Sequence, residues 1–251
     1  MNEPVISLQS VGKRYQLDHR GQFPFGKIFR SSNNEEFWAL KDINLEVGRG
    51  EKIGIFGPNG SGKSTLLRII SGITAPSSGN VHVKGRVLSM ANLEAGFHPE
   101  LTGEENIYLN SAILGLSLKD VRQRYKSIVD YSGIGAFIDV PFYMYSDGMK
   151  FRLAFSLVMN GDFDILIMDE VFVSGDIDFQ NKTLSTINNL QKSKGLTTLV
   201  CSHVPRLILT VADKFYKLEK GRISKGSRND ILRAIRKRDR FWSNNIINNY
   251  K

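Results

Sequence analysis

The sequence predicts an α/β fold with a parallel sheet that carries its functional groups at the carboxyl ends of the strands. Three short apolar runs, at 52–56, 164–168 and 197–202, are typical of buried strands, and each leads into polar residues. From 102 to 161 the apolar spacing becomes helical. The chain of 251 residues is long enough for a sizeable core, and its single cysteine excludes an internal disulfide.

The first apolar run is followed by a glycine-rich loop typical of phosphate binding. Residues 57–65 fit G-x-x-x-x-G-K-[S/T] without a gap, and a helix ended by a glycine is predicted over 65–72. Backbone N–H groups of such a loop surround phosphate oxygens, and the helix N-terminus adds partial positive charge. We expect Lys63 to reach the β- and γ-phosphates and Ser64 to ligate Mg²⁺. The residues predicted to hold ATP are Gly57, Pro58, Asn59, Gly60, Ser61, Gly62, Lys63, Ser64 and Thr65.

Polar side chains at the ends of the two later strands suggest hydrolysis. Asp169 and Glu170 follow the second apolar run, and His203 follows the third. Because parallel strands present their carboxyl ends at one edge, we expect these groups near the phosphate loop. Asp169 is predicted to hold Mg²⁺, and Glu170 to orient and deprotonate the attacking water. His203 is predicted to contact the γ-phosphate and that water.

The stretch Tyr-Ser-Asp-Gly-Met-Lys at 145–150 opens a helix predicted over 151–158. It resembles the signature motif of ATP-binding cassette (ABC) ATPases, and the resemblance covers nearly the whole chain. It implies a P-loop NTPase with a RecA-like core, an N-terminal antiparallel β subdomain and a helical signature subdomain. It also implies a homodimer with two ATP molecules at its interface, in which Ser146, Gly148 and Met149 close on the partner's phosphate loop.

Two more residues take their expected roles from the resemblance. Tyr15 looks like the aromatic side chain that stacks on adenine, although an aromatic residue on an edge strand is the alternative. Asp176 lies six residues after Glu170 and resembles an aspartate that acts across the dimer.

A narrower resemblance concerns the cargo. The segments 37–43 and 96–107 and the Tyr-Ser-x-Gly-Met form of the signature are similar to the branch that exports lipid-linked polysaccharides: O-antigens, capsules and teichoic acids. This implies a membrane permease as partner, a lipid-linked glycan as cargo, and a peripheral position on the cytoplasmic side of the inner membrane. The branch carries an insertion between its first two strands, predicted here at 16–36. Its aromatic and basic residues fit a lipid pyrophosphate or membrane contact, and equally a self-packed surface loop.

Two positions depart from the family pattern. The family's loop glutamine that touches Mg²⁺ is missing, and Glu94 is the predicted substitute, with Asn92 as the fallback. Asp147 stands where the signature usually has a small neutral residue, which places a carboxylate near the partner's γ-phosphate.

The predicted organisation is a cassette over 1–226, with a helical subdomain at 102–161, and a basic helical tail over 227–251. From Lys217 onward, eleven Lys and Arg against three Asp and Glu give 11 − 3 = +8 of the net charge of +9. An excess confined to 217–251 argues against a nucleic-acid-binding core, and no nucleic acid partner is expected. The tail is predicted to pack on the cassette, the alternative being a membrane surface, and to be too short for a carbohydrate-binding domain.

Three functions remain open on sequence grounds. The leading interpretation is the ATPase of a polysaccharide exporter. The alternatives are the ATPase of a transporter for another substrate and a soluble ABC ATPase that acts on nucleic acid, whose distinguishing property would be salt-sensitive nucleic acid binding.

Overall fold

The computed structural model describes residues 3–17, 35–90, 96–168, 177–202 and 205–233. These residues form two compact units. Unit 1 comprises the described residues of Met1–Gly48, Ile55–Lys84 and Phe215–Lys251, and unit 2 those of Arg49–Gly54 and Gly85–Lys214. The strands are β1 Ile6–Leu17, β2 Glu35–Val47, β3 Lys52–Phe56, β4 Ser78–Val83, β5 Val87–Ser89, β6 Ile165–Met168, β7 Thr197–Cys201, β8 Lys214–Glu219 and β9 Arg222–Gly226. The helices are α1 Lys63–Ile70, α2 Gly103–Ile113, α3 Leu118–Ser132, α4 Asp147–Met159, α5 Ile177–Lys194 and α6 Pro205–Val211.

Unit 1 contains the predicted antiparallel sheet, in the order β2-β1-β4. β1 pairs with β2 up to the match of Leu17 with Glu35, and an ion pair of 2.8 Å joins Arg14 Nη1 to Glu36 Oε1. The predicted insertion boundary of 16–36 is therefore wrong, because cross-strand pairing extends both strands into that range. The segment between the strands, 18–34, lies outside the described residues.

The rest of unit 1 includes the end of β3, helix α1 and the antiparallel pair β8 and β9. Helix α1 begins at Lys63, two residues before the predicted start, because the loop turns into the helix at Gly62. The first residues of the predicted tail are helical from 228 to 233, and Ile231 is fully buried. Ser227 Oγ accepts from the Asp230 N–H, and Asp230 Oδ2 accepts from the Ser227 N–H, which caps this helix. The tail is thus packed at Ile231, and the packing of 227–251 as a whole stays a prediction.

Unit 2 contains the predicted parallel strands, in the order β5-β6-β7 and then the beginning of β3. Ile165 pairs with Val87 on one side and with Thr197 on the other. Every residue of β6 and β7 is buried, as the continuous apolar runs predict.

The helical part of unit 2 is formed by α2, α3 and α4, as predicted for 102–161. Capping boxes begin α2 at Thr102 and α3 at Ser117. The predicted apolar stripe of α3 lies in the core: Val121 and Ile128 are buried, and Tyr125 and Val129 pack against them. In the part of the chain that the structure describes, no helix is both long and apolar enough to span a membrane.

Candidate nucleotide-binding site

The loop between β3 and α1 depends on glycine at three positions. Gly60 and Gly62 have φ values of 73° and 105°, a region that favours glycine. At Gly57 a Cβ atom would collide with the carbonyl oxygen of Leu218. The chain therefore forms the turn that the 57–65 motif predicts, with its backbone close to neighbouring strands.

Lys63 places its ammonium group within this loop. Its side chain is only 8% exposed, and Nζ donates to the carbonyl oxygens of Gly57 and Pro58, each at 3.0 Å. Both acceptors are neutral, so these hydrogen bonds do not neutralise the positive charge of the ammonium group. The loop thus presents a cation to an incoming anion.

The start of α1 fits a phosphate group in two further ways. Gly62 supplies no side-chain cap and the first turn has no acidic residue, so the helix N-terminus keeps its affinity for anions. The Ser61 hydroxyl is buried, and Oγ has no hydrogen-bond partner among the described residues. An orphaned buried hydroxyl fits a ligand oxygen. The neighbouring Ser64 side chain is exposed, as a Mg²⁺ ligand must be.

The predicted second anion site lies at the start of α4 in unit 2. Ser146 is the N-cap residue, and its Oγ accepts from the Met149 N–H at 3.3 Å. At Gly148 the nearest atom to an added Cβ is Ser146 Oγ at 3.9 Å, so the surface there is open. Ser146 and Asp147 are exposed, and Asp147 lies in the first helical turn. The helix begins at Asp147 rather than at the predicted residue 151, because the Ser146 cap already satisfies its first turn.

Tyr145 anchors this helix start to the rest of unit 2. Its hydroxyl donates to the carbonyl oxygen of Phe137 at 2.6 Å, and burial raises the pKa of the phenol. At Gly103 an added Cβ would collide with that hydroxyl. A neutral phenol therefore remains the donor, and the signature residues that follow are held by a buried ring.

The predicted adenine contact, Tyr15, lies on β1 in unit 1. Its side chain is 37% exposed, and the Lys13 ammonium lies 5.2 Å from the ring centroid. Lys13 Nζ also donates to the carbonyl oxygen of Ala75 at 2.9 Å. The ring is available to a planar ligand.

Five predicted site residues cannot be located, because they lie outside the described residues: Glu94, Asp169, Glu170, Asp176 and His203. Strand β6, which leads into Asp169 and Glu170, and strand β7, which leads into His203, are parallel neighbours, with Met168 of β6 paired with Val200 of β7. The roles of the five residues stay predictions, and so does the Asn92 fallback.

Asn106 is a structural residue that sequence reasoning missed. It is fully buried in α2, and Nδ2 donates to the carbonyl oxygens of His98, Leu101 and Thr102. Oδ1 accepts from the His98 N–H at 2.7 Å. The sequence does contain a signal for this role: asparagine is a weak helix former, and inside a helical pattern it indicates a side chain that forms hydrogen bonds with the backbone. Its amide fixes the course of 98–102.

Comparisons with known proteins agree with these elements. Residues 40–173 match the family model described as ABC transporter. The O-antigen export system ATP-binding protein RfbB of Klebsiella pneumoniae is 42% identical over 88% of this chain and 92% of that protein. The teichoic acids export ATP-binding protein TagH of Bacillus cereus is 35% identical over 92% of this chain, which spans 42% of that longer protein.

A solved structure has the same fold. A dimeric ATP-binding cassette in a post-hydrolysis state with ADP and Pi has a TM-score of 0.71. The match covers 88% of this chain and 98% of that chain, with 22% sequence identity. The predicted cassette fold is confirmed.

Proposed function

Because this chain belongs to the ABC transporter family and is an ATPase of that family, we propose that it drives the export of a lipid-linked polysaccharide, of the O-antigen, capsule or teichoic acid type. One observation supports the cargo above all. The similarity to the O-antigen subunit extends over 92% of that protein, and therefore is not confined to the nucleotide-binding motifs. The similarity to the teichoic acid subunit supports the same class of cargo.

Unit 1 is proposed to bind the phosphates of ATP. The Lys63 ammonium donates to two carbonyl oxygens. Hydrogen bonds to anionic phosphate oxygens would be stronger than these bonds to neutral acceptors, so the exchange favours ATP binding. The Ser61 hydroxyl and the uncapped N–H groups of α1 supply further donors. A bound Mg²⁺ ion would neutralise charge on the phosphates, held by Ser64, Asp169 and Glu94.

Hydrolysis is proposed to depend on Glu170 and His203. A glutamate carboxylate at this position orients a water molecule and accepts its proton. A histidine ring nitrogen contacts the terminal phosphate and that water. In the sequence, Glu170 lies two residues after the end of β6 and His203 two residues after the end of β7, and every residue of both strands is buried.

The start of α4 is proposed to bind the nucleotide of a second copy of this chain. Ser146 is exposed at the helix start, Gly148 and Met149 are half-buried, and a Cβ added at Gly148 would meet nothing closer than Ser146 Oγ at 3.9 Å. Asp176 is proposed to act across the same interface. A membrane permease would complete the exporter, and the homodimer would lie on the cytoplasmic side of the inner membrane.

The decisive experiment compares Glu170→Gln with the wild type in ATP binding, ATP hydrolysis and surface polysaccharide. The variant should bind ATP with wild-type affinity, form a dimer with ATP, and lose at least about 100-fold in hydrolysis, because amide nitrogen accepts no proton. Cells that express it with the cognate permease should lack surface glycan. Glu100→Gln, an exposed carboxylate in unit 2, is the matched control.

Two outcomes would contradict the proposal separately. Wild-type hydrolysis by Glu170→Gln would show that the general base lies elsewhere. Normal surface glycan in cells without active ATPase would show that the cargo is another substrate.

A further inference from the structure

A second aromatic side chain accompanies Tyr15 on the antiparallel sheet of unit 1. Tyr15 of β1 pairs directly with Phe37 of β2. Directly paired residues point to the same face of a sheet, with Cβ atoms about 5 Å apart. The two side chains are 37% and 49% exposed, so one face of the sheet carries an open pair of rings.

This pair lies close to the phosphate loop along β2. A Cβ on Gly62 would come within 2.5 Å of the Ala39 carbonyl oxygen and 2.8 Å of Leu40 Cδ2, so loop and strand are in contact. The pairing shifts here from Lys13 with Leu40 to Arg14 with Trp38, which leaves Ala39 as the extra residue of a bulge. Phe37 is two residues from Ala39, about 7 Å along the strand.

The neighbouring side chains leave the Phe37 ring to a ligand. Trp38 projects to the other face, where a Cβ on Gly12 would lie 2.9 Å from its Cζ3 atom. Lys13 Nζ is fixed by the Ala75 carbonyl oxygen and lies over the Tyr15 ring. The Lys13 ammonium thus lies on one side of the Tyr15 ring, and Phe37 adds a second exposed ring on the same face of the sheet.

We propose that Phe37 is a second base-contacting residue, so that the purine of the bound nucleotide rests on a two-ring platform of Tyr15 and Phe37. The proposal rests on the proposed function, in which the loop 57–65 holds the phosphates. The ligand is then a planar aromatic ring within reach of that loop. Aromatic rings bind such a base through stacking and edge contacts.

The experiment measures binding of Mg-ATP and of inorganic tripolyphosphate, which has no base, to the full chain by calorimetry. Phe37→Ala should weaken ATP binding about five- to tenfold, in the range found for loss of a stacking partner, and tripolyphosphate binding less than about twofold. Phe37→Leu should fall between the wild type and Phe37→Ala. Phe137→Ala is the matched control, because that phenylalanine is equally exposed, at 51%, and lies in unit 2.

The outcomes separate the platform from the phosphate site. ATP binding by Phe37→Ala within twofold of the wild type overturns the platform. An equal loss of ATP and tripolyphosphate binding also overturns it, because the ring would then act through the fold. If Lys63→Ala binds both ligands as the wild type does, the proposed phosphate site fails instead, whatever Phe37 does.

Discussion

Helices α1 and α4 both begin at predicted anion sites, but their first turns are built differently. Helix α1 starts after Gly62, a residue with φ of 105° that provides no side-chain cap, and its first turn has no acidic residue. Helix α4 starts after Ser146 in ordinary extended geometry, with a side-chain cap and with Asp147 in the first turn. The first helix leaves its N-terminal groups to a ligand, whereas the second partly satisfies its own.

The two helix starts also differ in how closely the surrounding residues pack against them. Gly62 lies against the backbone of β2, so the phosphate loop is fixed by main-chain contacts that exclude any side chain. A Cβ added at Gly148 would meet only Ser146 Oγ, at 3.9 Å, and the buried Tyr145 ring anchors the start of α4. A site proposed for the chain's own ATP can be fully preformed, while a site proposed to close on a partner must stay accessible.

The largest effect is expected from adding one methyl group at each glycine. Gly62→Ala should lower the free energy of unfolding by about 1–3 kcal/mol and ATP affinity at least about tenfold, because it combines positive φ with a backbone collision. Gly148→Ala should leave ATP binding to the chain's own phosphate loop unchanged and stabilise the chain by up to about 1 kcal/mol, since alanine favours the helix. Thermal unfolding and calorimetry measure both.

Gly60→Ala separates the two causes at the phosphate loop. Gly60 has φ of 73°, yet no atom lies within 4 Å of an added Cβ. This variant should therefore show the backbone strain without the collision, and fall between the wild type and Gly62→Ala. Wild-type stability and binding in Gly62→Ala would show that the loop adapts, and the contrast between the two helix starts would be lost.

A smaller effect is expected at the Ser146 cap. Ser146→Ala removes the acceptor for the Met149 N–H and should cost about 1 kcal/mol of stability, measured by thermal unfolding. Ser146→Thr keeps the acceptor and should retain most of that stability. If Ser146 also contacts the partner's phosphate, ATP hydrolysis by Ser146→Ala falls further than stability does. Equal stability of Ser146→Ala and the wild type would show that the cap contributes nothing.

The sequence predicted the local structure around both candidate sites where that structure depends on residue type and spacing. The run 52–56 before the glycines of 57–65 predicted strand β3, loop and helix, because each residue class there has one favoured conformation. Both helices began earlier than predicted, since a cap or a left-handed glycine fixes a start without any apolar signal. The pairing of Tyr15 with Phe37 was not predicted. The register of the two strands depends on a bulge at Ala39, and no residue type or pattern in the sequence indicates that bulge.

The smallest effect is expected at Asp147, where a substitution should keep or raise ATP hydrolysis rather than lower it. Asp147 is exposed in the first turn of α4, so its carboxylate favours the helix but repels an approaching phosphate. Asp147→Gly should therefore keep or raise ATP hydrolysis, even though it weakens the helix start. The gain should shrink at high ionic strength, because salt screens an exposed charge. Asp147→Asn removes the charge without adding backbone freedom, and hydrolysis measured at low and high salt separates the two causes. A severe loss of hydrolysis in both variants would mean that the carboxylate itself takes part in the reaction. The start of α4 would then require an acidic residue, whereas the first turn of α1 contains none.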